Sequence, residues 1–147
     1  MNVTRGYQYE NIAARLIESI PALEYIKNSE VKIGFAASDA KKKDGGKTTC
    51  ADCKKVPGLY KPFIPEGYDF MITVYEPNVE HMNPDQLDIL ILHELLHVGI
   101  EDDGMAPPRY FVKAHTFEEF EIIVRTFGTD WAGYFRTPGP VEAVAKE

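Results

Sequence analysis

His93, Glu94 and His97 form an H-E-x-x-H pattern, His93-Glu94-Leu95-Leu96-His97, inside a strongly apolar run. On a helix, positions four apart lie one turn above each other, so both imidazoles leave the same face with the carboxylate beside them. Neutral imidazoles are zinc ligands, and a carboxylate at that spacing can take a proton from a water that the metal activates. Five residues are a short pattern, so the elements that position them carry the rest of the reading.

The surrounding helix announces its start. Asn83 is a good N-cap, Pro84 suits the first helical position, and Gln86 completes an Asn-x-x-Gln capping box. From Leu87 to Ile100 the chain is apolar except at Asp88, His93, Glu94 and His97, which predicts a helix buried around most of its circumference. Asp102-Asp103-Gly104 is the expected end, with Gly104 as a left-handed terminator. At about 100° per residue, Gln86, Glu94, Glu101 and both histidines gather on one side. Gly99 lies on the far side, where close approach to the sheet or another helix is the expected reason for a glycine. Polar groups buried this way cost about 1–3 kcal/mol each without a partner, and a metal is an available partner.

A catalytic zinc takes three protein ligands and keeps one position open. The further candidates are His115, Glu118, Glu119 and Glu121. Thr116-Phe117-Glu118-Glu119 reads as a capping box at the start of a helix, which gives Glu119 a local task. Phe117, Phe120, Ile123, Val124 and Phe127 form the apolar face of that helix; Glu118 points away from its centre, and Glu121 flanks it and stays open as an alternative. His115, just before the cap, is the preferred third ligand, because three of the four histidines then stand at ligand positions. Its plainer alternative is packing against Phe120. The fourth histidine, His81, is expected to be exposed, with a contact to substrate as the lesser reading. Tyr110, Tyr134 and His81 are candidates for stabilising a tetrahedral oxyanion, and Glu101, Asp102 or Asp103 for orienting the imidazoles.

The remaining sequence frames this site. The chain has 147 residues, 44% of them hydrophobic, which fits one domain over 1–147. A net charge of -7 argues against general nucleic-acid binding, and Lys41-Lys42-Lys43 and Lys54-Lys55 are expected to decorate solvated loops or strand edges. Cys50 and Cys53 form a lone C-x-x-C without the second pair of a zinc ribbon. They are expected as reduced thiols in a strand, three apart and so on opposite faces. No run reaches the length of a membrane span, and the first residues lack the apolar core of a signal peptide, so the cytoplasm is the expected compartment.

Helical spacing predicts an N-terminal helix from Tyr7 to Ile20, stopped by Pro21, and a short turn through Leu23 and Ile26. Val31 to Phe35 reads as a half-buried strand, Asp39 to Lys47 as a loop or hairpin, Thr48 to Val56 as the cysteine strand, and Asp69 to Tyr75 as a strand covered on both faces. The expected fold is α+β: a small mixed sheet against the buried motif helix, with N-terminal and C-terminal helices. Trp131 to Phe135 is expected to close over the 116–128 helix, and residues 140–147 to fray.

With these residues in place, the chain resembles the zincin metallopeptidases and, more closely, the small phage metallopeptidase family, related in layout to SprT-like proteases. The likeness covers roughly Ile20 to Trp131, through the Ala51-Asp52-Cys53 strand, the Tyr68 to Tyr75 strand, His93 to Gly99, and His115 to Gly128. It implies a zinc peptidase acting on a protein or peptide, with His93, His97 and His115 as ligands and Glu94 as general base. The chain lacks the four-cysteine ribbon of the SprT-like pattern, which removes a reason to expect DNA-linked protein substrates. Two other expectations share the same residues: an ImmA-type regulatory protease with one dedicated phage or host protein as substrate, and a catalytically silent metal-containing binding module.

Overall fold

The computed structural model describes residues 2–115, 120–134 and 136–146. Its main sheet has four strands in the order β1-β2-β6-β5: β1 (Val3–Arg5), β2 (Ile33–Ser38), β6 (Phe70–Tyr75) and β5 (Ala51–Lys55). β2 and β6 run parallel, and β1 and β5 pair antiparallel on the two outer sides, so the sheet is mixed as expected. β3 (Lys43–Asp44) and β4 (Lys47–Thr48) form a small hairpin. Gly45 and Gly46 turn it with φ of 57° and 81°, values that a two-residue hairpin turn demands and glycine supplies.

Strand burial follows position in the sheet. β2 begins two residues later than expected and runs on to Ser38, buried from Gly34 because β1 and β6 cover both its edges. On β6, Phe70, Ile72 and Val74 are fully buried, while Met71 and Thr73 on the opposite face are half-buried. Only one face of β6 is thus completely covered, a correction to the two-sided burial expected from its composition.

Helix α1 (Tyr7–Ser19) packs Tyr9, Ala13 and Leu16 into the core, and its Arg15 forms an ion pair with Asp88 of α3 (Pro84–Leu96). Between them a 3-10 turn (Pro21–Leu23) leads into the short α2 (Glu24–Lys27). The capping box at the start of α3 is present in both directions: Asn83 Oδ1 accepts from the Gln86 backbone N–H at 2.9 Å, and Gln86 Oε1 accepts from the Asn83 N–H at 2.8 Å.

The end of α3 departs from the expectation. The helix stops at Leu96 with His97 as its C-cap, and the chain turns directly into β7 (Val98–Glu101), paired antiparallel with β8 (Arg109–Val112). Apolar Val98 and Ile100 suit a strand as well as a helix, and Gly99 weakens the helical alternative by about 1 kcal/mol. Gly99 has a specific reason in the hairpin: a Cβ there would lie 2.6 Å from the Phe111 ring. Gly104, with φ of 76°, belongs to the β7–β8 connection rather than to a helix terminus.

Helix α4 (Glu121–Phe127) also starts later than expected, because Phe120 has an extended ψ of 135°. The expected cap at Thr116 and its partner Glu119, with Phe117 and Glu118, lie outside the described residues. The segment expected to fray instead forms a 3-10 helix (Val141–Lys146), with Val141 and Val144 buried in the core and Glu142 paired with Arg15. Among the described residues, no helix is long and apolar enough to cross a membrane.

Candidate metal centre

Two segments of the chain bring three imidazoles together. His93 stands in the last turn of α3, His97 at its C-cap, and His115 beyond β8. His115 Nε2 lies 3.0 Å from His93 Nε2 and 2.9 Å from His97 Nε2, and a ligating atom of each ring falls within 4.8 Å of the others. Glu121, the alternative left open by the sequence, is exposed on α4 and does not join this cluster.

The β7–β8 hairpin explains the convergence. Leaving the helix at His97 and returning antiparallel carries the chain back past its own starting point. Lys113 then donates its N–H to the His97 carbonyl at 2.6 Å, and the Lys113 carbonyl lies 2.7 Å from His97 Nδ1. A carbonyl only accepts, so Nδ1 carries the proton and Nε2 turns its lone pair to the centre. Three ring nitrogens at this separation fit a small cation with N ligands at about 2.0–2.1 Å, as zinc has. The donor set is therefore chemically suited to a metal.

Two further side chains brace the cluster. The Phe120 ring stands edge-on to all three imidazoles, with centroids 5.4 Å from His93 and 5.1 Å from both His97 and His115. The packing of His115 on Phe120 thus accompanies the clustering of the histidines rather than replacing it. Tyr25 donates its hydroxyl to the Val98 carbonyl at 2.6 Å, which ties the exit of α3 to α2. Both contributions escape a sequence reading: Phe120 reads only as a core residue, and Tyr25 as one aromatic on a short turn.

Glu94 is 2% exposed, with Oε1 3.7 Å from His93 Nε2. Across from it lies β5. Burial pushes the Cys53 thiol up to about 12 and raises that of Cys50, and the charge of Glu94 adds to both shifts. Both cysteines are free thiols. Cys50 precedes the strand, so strand alternation does not separate the pair, and both pack against the core.

The other predicted site residues go elsewhere. His81 donates from Nε2 to the Ala132 carbonyl at 2.7 Å and stacks on Tyr134 with centroids 4.2 Å apart. That pair sits near the start of α3, where Gln86 Nε2 donates to the Trp131 and Gly133 carbonyls, about two helical turns from His93. Tyr110 packs edge-on to Phe70, beside Asp69 and Lys61. The ring contacts and the hydrogen bond of these three side chains are thus made with Phe70, with Ala132 and with one another. Glu101 pairs with Arg109, while Asp102 and Asp103 accept from the backbone N–H groups of Gly104 and Met105. The orienting group for His97 is therefore a backbone carbonyl, not one of these carboxylates.

The family described as "Putative phage metallopeptidase" matches residues 1–142 of the chain. No curated protein and no solved structure matches it.

Proposed function

The chain belongs to this phage metallopeptidase family, and from that premise we propose that it is a zincin-like zinc peptidase that hydrolyses peptide bonds in protein substrates. The observation that carries the reading is the convergence of three imidazole Nε2 atoms beside a buried glutamate. His93, His97 and His115 would hold the metal. Zinc bound there supplies a Lewis acid that polarises the scissile carbonyl and lowers the pKa of a water toward neutrality.

The protein's own groups do the rest. Glu94 acts as general base, taking a proton from the attacking water and returning it to the leaving amine nitrogen. Its burial keeps bulk water from competing for that proton. The Lys113 carbonyl fixes the His97 ring, and Phe120 shields one side of the cluster from solvent. The substrate adds as a strand along β5, because β6 is enclosed between β2 and β5 whereas β5 has one open edge among the described residues.

Glu94→Gln is the test. This isosteric change removes the base and leaves all three imidazoles, so the variant keeps wild-type zinc content and loses hydrolysis of a casein or peptide-pool substrate. Cleavage at the wild-type rate would assign the base elsewhere.

A further inference from the structure

Lys55 ends the edge strand β5 and leaves the same face as Cys53, which packs against the core. Two residues further along a strand is roughly 7 Å. There Lys55 enters a cavity of about 540 Å³ between the 3-10 turn Gly58–Phe63 and the start of β8, where Lys61, Asp69, Arg109 and Tyr110 also contribute to the wall.

The cavity runs against the charge of the molecule: three cations and one carboxylate line it, in a chain of net charge -7. The carboxylate is already engaged, since Asp69 accepts from Lys61 Nζ through Oδ1 and from the Lys32 backbone N–H through Oδ2. Arg109 reaches Glu101 at 2.7 Å, in a pair that is more than half exposed on both sides. Lys55 has no carboxylate partner among the described residues. The segments that supply the wall also carry exposed apolar side chains: Leu59 at 76% and Phe63 at 78% on the 3-10 turn, and Met105 at 89% on the β7–β8 connection.

We propose that this cavity is a specificity pocket for an aspartate or glutamate of the substrate, held by Lys55 and Arg109, with apolar substrate residues on either side of it. The assignment rests on the peptidase reading, since it takes β5 as the edge along which the substrate lies. It explains why Lys55, at a strand end expected only to be solvated, points into a concavity. An anionic lipid surface fits less well, because it is flat where this site is concave and is repelled by the remaining negative charge.

Binding to zinc-loaded Glu94→Gln protein tests the pocket without requiring turnover. The probes are fluorescent peptides of about ten residues, built from Ala, Leu and Phe, with one glutamate moved through every position, and a matched set carrying lysine. Glutamate peptides should bind about tenfold more tightly at a narrow window of positions, with the difference shrinking as salt is raised. Lys55→Glu should invert the preference. Equal binding of the two sets overturns the proposal, as does a preference that survives both Lys55→Glu and Arg109→Glu. Stronger capture by phosphatidylserine vesicles than by glutamate peptides also overturns it. Hydrolysis by the wild type is scored separately. Cleavage with no acidic preference removes the pocket and keeps the peptidase; acidic preference without cleavage does the reverse.

Discussion

The Nδ1 of His97 lies 2.7 Å from the carbonyl oxygen of Lys113. Together with the Lys113 N–H donated to the His97 carbonyl, this hydrogen bond joins the end of α3 to the segment that delivers His115, and it sets the tautomer of the His97 imidazole. The site is consequently built on the β7–β8 hairpin as much as on the helix.

That dependence makes Gly99 a sensitive position. In Gly99→Ala the new methyl meets the Phe111 ring at 2.6 Å, and the ring must shift against Arg109, whose guanidinium lies 4.8 Å from its centre. The expected loss of stability is about 1–3 kcal/mol, read by urea denaturation. In a Phe111→Ala background the same substitution should cost much less. Equal costs in both backgrounds would show that the clash is not the cause.

Phe120 is 5% exposed and touches all three imidazoles. Phe120→Ala should destabilise the fold by about 3–5 kcal/mol and weaken zinc binding as well. Phe120→Leu, which keeps most of the apolar volume, should restore stability more than affinity. Calorimetry and zinc competition with a chromogenic chelator separate the two effects.

The α3 cap predicts a purely structural variant. Asn83→Ala removes the side-chain acceptor for the Gln86 N–H and the donor to the Arg136 carbonyl. It should cost about 1 kcal/mol. Since the cap lies at the far end of the helix from His93, zinc affinity should stay at the wild-type value.

Alkaline pH should unfold the protein by a defined route. Burial pushes both Tyr25, from 10.0, and Cys53, from 9.0, up to about 12. The folded state thus holds both groups neutral where the unfolded chain ionises them. Their contribution to stability is whole below about pH 9 and is lost as pH rises toward 12. Urea midpoints measured between these limits should fall, and the fall should be shallower in Tyr25→Phe and Cys53→Ala.

How far the sequence reaches depends on whether its signals are local. The start of α3 is written in Asn83-Pro84-Asp85-Gln86, and the caps form as those residues dictate. Its end is not, because Val98-Gly99-Ile100 suits a buried helix or a strand, and the choice lies with a partner strand at Arg109–Val112. That His115 gathers with His93 and His97 is foreshadowed by the scarcity of histidine, whereas the Lys113 carbonyl beside His97 has no side-chain signature. The oxyanion candidates show the same limit: Tyr110, Tyr134 and His81 are chemically suitable, but their placement is set by nonlocal contacts with Phe70, Ala132 and each other, which their own sequence neighbourhoods do not encode. The cavity at Lys55 joins a strand end, a turn and a hairpin, which no local pattern brings together.

Zinc content and affinity of the wild type, His115→Ala and Glu121→Ala, measured by mass spectrometry of the metal after gel filtration and by chelator competition, decide whether the three-histidine site exists. The wild type and Glu121→Ala should each carry about one zinc per chain. His115→Ala should lose affinity by more than the roughly 10–100-fold that removal of an orienting partner costs. Wild-type affinity in His115→Ala would contradict the site.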